Sequence, residues 1–336
     1  MKRWLFVGLG LVVSAIFLFL GFRDLNFAQL GGVLQQISLG WVLLAALVYF
    51  AAAYIITWRW YYLLRPVKDV RPNRLFPLVI IGYMGNNVYP LRIGEVLRAY
   101  LLNVRDHAPI PATLTTILVE RVFDGITMLA LIFTALLFVD LDAPLIEGGI
   151  VALTVLFVVA LLVFLALALR PDLARRLYGA LFNRFAPERL RPNLLALADN
   201  LMDGLAALRH PSALLLVLIL SLLSWTVEAS TYWLVLQAFP FEVSFFVVLL
   251  IVGLGNLATI LPTTPGYVGT FHGVVILVLL AFGVSQPEAA AYAIVMHAVI
   301  WLPVTVAGFI LLVRMGLGWG DFAKAEQAVS AATKQS

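Results

Sequence analysis

Glu120 and Asp124 stand four residues apart, which puts both carboxylates on one face of a helix, with Arg121 three residues before Asp124 as a counter-charge. Upstream, Arg92, Glu95 and Arg98 alternate in sign in the same way, and Glu95 and Arg98 share a helix face. A guanidinium fork grips a phosphate in two places, while carboxylates can hold the arginines or accept a proton or an amine. Asn86, Asn87, Thr263, Thr264, Gly266 and His272 complete the candidate set, at or near interruptions of apolar runs where backbone N–H groups are free to meet an anion. A competing reading makes the charges a self-neutralising network, Arg92, Arg98 and Arg121 against Glu95, Glu120 and Asp124, that only ties segments together. Glu228 and His297 stand alone and read first as buried, satisfied polar groups. Metal-ligand spacing, a Walker loop and a Ser–His–Asp arrangement are not found, and the chain has no cysteine. No catalytic residue, metal site or cofactor is therefore expected, and an enzyme is disfavoured.

The elements that must position these groups lie in a membrane. Of 336 residues, 63% are apolar and only 12% charged, where a soluble domain carries about 25% charged residues. Mean hydropathy is +1.02. A single integral membrane domain over 1–336 follows. Six full spans are expected at 4–22, 40–58, 112–138, 148–169, 212–238 and 286–314. Lys2 and Arg3 precede the first like a signal peptide, but without a small-residue cleavage site before Arg23 an uncleaved first helix is expected. Arg59, Arg65, Lys68, Arg71 and Arg74 fall in one connection and seven arginines in 170–211, while the connections 139–147, 239–244 and 283–287 have no Lys or Arg. By the positive-inside rule both termini are cytoplasmic. The excess of positive charge, net +4, is then topology, not nucleic-acid binding. The 170–211 loop reads as amphipathic helices lying on anionic inner-leaflet lipids.

Two stretches do not fit a simple span. Residues 243–287 carry no Asp, Glu, Lys or Arg and are broken at Leu261-Pro262-Thr263-Thr264-Pro265-Gly266, where each proline ends one helix and permits another. Residues 75–105 are broken at Gly85-Asn86-Asn87-Val88-Tyr89-Pro90 and read as re-entrant from the cytoplasm; the second hairpin is either re-entrant or two paired spans, its arms being taken as long enough to cross. Span, hairpin and span recur in the same order in repeat A (about 40–138) and repeat B (about 212–314). One span and one cytoplasmic loop separate the two, so the second copy is inverted. The fold class is thus all-α and polytopic, six full spans plus two broken hairpins in an inverted-repeat arrangement, with the substrate site where the breaks meet. Asp124, about 18 Å along from residue 112, lies near mid-bilayer, where ionisable groups are functional candidates by default. Like-charge proximity of Glu120 and Asp124 suggests that the pair senses a bound, positively charged group through a shared proton, unless Arg121 supplies the positive charge.

GNNVYPLRIGEVLRAYLL (85–102), LVERVFDGITML (118–129) and LPTTPGYVGTFHG (261–273) together resemble the flippase-like integral membrane family related to the transmembrane region of lysylphosphatidylglycerol synthases. In that family's motifs, Asn87, Pro90, Arg92, Gly94, Glu95 and Arg98 match the first run, Glu120, Arg121 and Asp124 the second, and Pro262, Pro265, Gly266, Gly269 and His272 the third. The third motif often closes on an acidic residue, here His272, so a proton-coupling role is not implied at that position. The resemblance implies movement of a phospholipid or polyprenyl-linked lipid between leaflets. It also implies a bacterial-type cytoplasmic membrane; without the soluble aminoacyl-transferase domain of full synthases in these 336 residues, lysyl transfer is not expected. Flippase or scramblase is the leading expectation. A small-anion secondary transporter and a non-catalytic scaffold for a lipid- or glycan-modifying enzyme are the alternatives, and a homodimer is left open.

Overall fold

Proline sets the start of five of the described α-helices by occupying a first-turn position, where its missing N–H costs nothing. The computed structural model describes residues 2–22, 25–89, 92–140, 170–188, 211–259 and 264–318, with scattered positions of 148–162, 191–199 and 320–328. The described residues are helical, without a strand: α1 (Lys2–Phe22), α2 (Phe27–Gln35), α3 (Leu39–Leu64), α4 (Pro72–Val88), α5 (Ile93–Asp106), α6 (Ile110–Leu136), α7 (Pro171–Phe185), α8 (Pro211–Leu236), α9 (Phe245–Ala258), α10 (Thr270–Ala281) and α11 (Gln286–Arg314), with one 3-10 turn at Pro265–Tyr267. Most of the expected span 148–169, and Pro90, Leu261, Pro262 and Thr263 of the expected breaks, lie outside the described residues.

By length and apolarity α3, α8 and α11 are each sufficient to cross a membrane. Their outward faces fit lipid, with Leu39, Leu43 and Leu47 on α3 and Leu302, Val306 and Ile310 on α11 exposed at four-residue spacing. The 27 residues of α6 would span about 40 Å, but Glu120, Arg121 and Asp124 lie within it. Two sequence expectations need correction. The span expected to stop at residue 58 continues to Leu64, so Arg59 is no loop residue but a fully buried part of α3. The arms of the second hairpin, α9 with 14 residues and α10 with 12, reach only about 21 and 18 Å, short of a hydrocarbon core of about 30 Å. Neither crosses alone. The sequence also gave no sign of α2, which turns 83° from α1 and is started by the Asn26 side chain accepting from the N–H groups of Ala28 and Gln29.

Three antiparallel packings build the body. Helix α3 lies on α8, with Ser38 N–H donating to the Ala238 carbonyl at one end and Arg59 reaching Ser221 toward the other. Helix α4 lies on α11, where Gly308 admits the Met84 side chain. Helix α9 lies on α6, where a Cβ at Gly253 would come within 2.5 Å of Ile132. The hairpin arms α4 and α5 meet through Gly82, Gly85 and Gly94: a Cβ on Gly94 would collide with the Gly82 carbonyl oxygen, and one on Gly85 would come within 2.7 Å of Gly94 Cα.

Candidate functional site

Helix α4 ends at Val88 with Tyr89 in extended backbone, and α5 starts behind Arg92, whose φ of 52° places a non-glycine residue in the left-handed region. That abrupt start aims the Arg92 side chain at the other broken hairpin. Its guanidinium donates to Thr259 Oγ1 at 2.6 Å and to the Thr259 carbonyl at 3.2 Å, covering the open end of α9, and it lies 5.9 Å from the Tyr267 ring centroid. The Asn86 side chain accepts the Gly94 N–H at 3.0 Å and so closes the first break from inside. The Asn87 side chain donates to Thr305 Oγ1 at 2.8 Å.

A cavity of about 120 Å³ lies where the two breaks face each other. Arg92 and Arg121 line it, their side chains 30% and 31% exposed. Glu95 stands between them at 3.6 Å from Arg92 and 3.7 Å from Arg121, distances too long for hydrogen bonds. Arg121 Nε is correspondingly buried without a hydrogen-bond partner, and so is Glu95 Oε1. These two guanidiniums are charged, shared and incompletely satisfied, as a waiting anion site would be.

Behind the cavity the charges are packed tightly. Arg59 contacts Asp124 at 2.6 Å and Ser221 at 3.1 Å, and reaches toward Glu120 at 3.6 Å. Arg98 pairs with Glu120 at 2.9 Å and stacks over Trp60 with 3.9 Å to the ring centroid. Asp124 also accepts the Trp225 indole N–H at 2.7 Å, and its other oxygen lies 3.2 Å from Arg121 in an ion pair without a hydrogen bond. The expected like-charge contact of Glu120 and Asp124 is therefore replaced: Arg59 spans both, and the proton-sharing role inferred from their spacing loses its premise.

Asn86, Asn87, Arg92, Arg121, Asp124 and Gly266 line the cavity, Glu95 stands between the two arginines, and Arg98 and Glu120 belong to the buried layer behind. Thr264 is held by Ser14 of α1 and the Val268 carbonyl and does not line it; Thr263 lies outside the described residues. His272 sits one residue back, behind His297. Their ring nitrogens are 3.3 Å apart, and His297 Nε2 lies 2.9 Å from the Gly266 carbonyl. That carbonyl can only accept, so Nε2 carries the proton, His297 Nδ1 accepts from His272 Nε2, and His272 Nδ1 faces the Gly269 N–H at 3.5 Å. The two isolated histidines of the sequence thus form one strap across the turn at Gly266. Sequence reasoning missed Arg59, Trp225 and the cavity-lining Tyr49, Tyr83, Tyr232 and Trp301, and left Glu228 without a role. Only the spacing Trp225, Glu228, Tyr232, one face of α8, could have pointed to the last.

The family model described as the lysylphosphatidylglycerol synthase TM region matches residues 7–308. A UPF0104 membrane protein of Methanothermobacter thermautotrophicus is 26% identical over 282 residues, 80% of this chain and 83% of that protein. The UPF0104 membrane protein MJ1595 of Methanocaldococcus jannaschii is 22% identical over 315 residues, covering 90% and 93%. Glycosyltransferase AglD of Haloferax volcanii is 28% identical over 295 residues, 77% of this chain but 47% of AglD, so the match spans about half of that protein's length.

Proposed function

The chain belongs to the lysylphosphatidylglycerol synthase TM region family, and from that premise we propose that it is a lipid flippase or scramblase whose cavity holds the phosphate of a phospholipid or polyprenyl-linked lipid. The carrying observation is the pair Arg92 and Arg121, part-exposed at the meeting of two helix breaks and only loosely matched by Glu95. A phosphate entering there would complete hydrogen bonds that Glu95 leaves open. In this reading α1, α3, α6, the 148–169 segment, α8 and α11 are the six spans, both termini are cytoplasmic, and the two hairpins are re-entrant. Exchange of the two repeats maps α4 on α11 onto α9 on α6 and leaves α3 on α8 in place, running antiparallel, which supports an inverted repeat about an axis in the membrane plane. The 170–211 loop lies on anionic inner-leaflet lipids. AglD is a glycosyltransferase, and the likeness to it favours a second reading in which the lipid moved by this chain carries a sugar. The deciding experiment reconstitutes the full chain in liposomes with a phospholipid whose headgroup is chemically accessible only from outside. Wild type is expected to expose inner-leaflet headgroup, and Arg92→Gln to stop this while still accumulating in the membrane. Equal loss of activity and abundance would place Arg92 with the structural charges instead.

A further inference from the structure

Glu228 is the carboxylate of the cavity that the phosphate site does not use. It is 8% exposed, lines the cavity, and makes no hydrogen bond or ion pair among the described residues. Its oxygens are absent from the fully buried atoms that lack partners, so the carboxylate opens into the cavity and not into packed side chains. Every other carboxylate nearby faces an arginine: Glu95 has Arg92 and Arg121, Glu120 has Arg98 and Arg59, and Asp124 has Arg59 and Arg121. An ionised carboxylate withdrawn from water without a counter-charge in contact is costly, and among the described residues neither Arg92 nor Arg121, the two guanidiniums of the cavity, forms an ion pair with it.

What the cavity does supply is rings. Trp225 and Tyr232 flank Glu228 on the same face of α8, and Tyr49 of α3 and Tyr83 of α4 line the same space. A carboxylate among aromatic faces is the chemistry that receives an ammonium group. Glu228 is also one turn of α8, about 4.5 Å along the axis, from Trp225, whose indole rests on the Asp124 gripped by Arg121. An ammonium subsite and the phosphate subsite are therefore neighbours.

Resting on the flippase reading, we propose that Glu228 is the ammonium subsite and that the cavity selects a zwitterionic headgroup with one phosphate and one primary amine. Pairing selects the zwitterion. Arg59, Arg92, Arg98 and Arg121 are paired with Glu95, Glu120 and Asp124, and Glu228 is the carboxylate of the cavity that no arginine contacts. A headgroup with one phosphate and one ammonium brings the arginines an anion and Glu228 its counter-charge, whereas a purely anionic one leaves Glu228 without a partner. A neutral sugar would meet the rings but not the carboxylate's charge.

The test uses the full chain in phosphorus-free detergent micelles, with binding of short-chain phosphatidylethanolamine and phosphatidylglycerol followed by the fluorescence of the cavity tryptophans. Wild type should prefer phosphatidylethanolamine by about tenfold or more. Glu228→Gln should bring phosphatidylethanolamine down to the phosphatidylglycerol level without weakening the latter, and Arg92→Gln should weaken both. An unchanged preference in Glu228→Gln, or no preference in wild type, overturns the subsite. Glu228-dependent binding of an amine-free glycosyl phosphate lipid overturns it in favour of a sugar site. Should Glu228→Gln fail to fold, competition by soluble phosphoethanolamine against glycerol phosphate on wild type alone decides, equal competition being the negative result. Liposome translocation separates the two readings: Glu228-dependent binding without flipping keeps the subsite and sinks the flippase, and flipping with Glu228-independent selectivity does the reverse.

Discussion

Arg59 and Arg92 carry the same charge within one network, yet their replacement by glutamine should have opposite consequences. Arg59 is fully buried between Asp124 at 2.6 Å, Ser221 at 3.1 Å and Glu120 at 3.6 Å. Removing one partner of a buried ion pair costs about 3–5 kcal/mol, because the other charge stays behind without compensation. Asp124 keeps Arg121 and Trp225, and Glu120 keeps Arg98, so Arg59→Gln belongs at the lower end, about 3 kcal/mol. Arg92 is 30% exposed and 3.6 Å from its carboxylate, a pair worth about 0–1 kcal/mol, with about 1 kcal/mol more from its hydrogen bonds to Thr259. At roughly 2 °C per kcal/mol for a chain of this size, Arg59→Gln should lower the melting temperature in micelles by about 6 °C, and Arg92→Gln by no more than about 4 °C. Translocation should follow the reverse order, with Arg92→Gln inactive although well folded. Pairing Arg59→Gln with Asp124→Asn should give a coupling of about 1 kcal/mol or more. A melting loss in Arg92→Gln as large as that in Arg59→Gln, or an Arg59→Gln protein as stable as wild type, would refute the division into a buried scaffold and an open anion site.

Gly94→Ala places a methyl group against the Gly82 carbonyl and within 2.7 Å of Asn86 Oδ1; hairpin closure should fail, with a stability loss of about 1–3 kcal/mol or more and no translocation. Because the chain has no cysteine, single cysteines at the exposed positions Ser285 and Lys68 test the topology: an impermeant thiol reagent should label the first from outside and the second only after permeabilisation, and the converse would overturn the orientation. The Tyr178 hydroxyl, raised above its ordinary value by partial burial, by its 2.5 Å hydrogen bond to Asp199 and by that carboxylate's charge, should ionise late. The folded form holds this proton more tightly, so the contact of α7 with Asp199 is complete below about pH 10 and is lost as pH rises beyond it. An absorbance titration should show one late-ionising tyrosine fewer in Tyr178→Phe, and an unchanged curve would refute the contact.

Local signals were legible. The 45 uncharged residues of 243–287 broken by proline, and the Gly85-Asn86-Asn87 interruption, announce helix ends wherever they fold, and both appear as ends of α4 and α9. Glu120, Arg121 and Asp124 were legible as a cluster because helix spacing alone puts them together. Arg59 was not. A charge at the end of an apolar run reads as the edge of the membrane, and what holds this one inside is Asp124, 65 residues away. His272 and His297, 25 residues apart, looked unrelated for the same reason. Composition hides arm length: an apolar stretch long enough for two spans gives up Thr259 and the turn over residues 264–269 to backbone outside both α9 and α10.

That irregular backbone explains why polar residues sit where the sequence is otherwise most apolar. Away from water every open carbonyl of a broken helix costs several kcal/mol unless it is met, and here groups at both breaks are met from the other repeat, from α1 or from α11. Arg92 of the first break covers the Thr259 carbonyl at the end of α9, and the Trp301 indole of α11 covers the Asn87 carbonyl at 3.4 Å. His297 of α11 covers the Gly266 carbonyl, and Ser14 of α1 takes the Thr264 N–H at 3.2 Å. Neither hairpin could therefore stand in lipid without its neighbours, and the bonds that close the breaks also bound the cavity. A ligand that draws Arg92 away from Thr259 removes one tie between the two hairpins, so occupancy and the spacing of the breaks are linked through a single guanidinium. Thr259→Val tests that link apart from charge: it keeps shape and network while leaving Arg92 one hydrogen bond short. Phosphate-lipid binding should tighten, because less is given up on binding, and unchanged affinity would mean that Arg92 reaches its ligand without leaving Thr259.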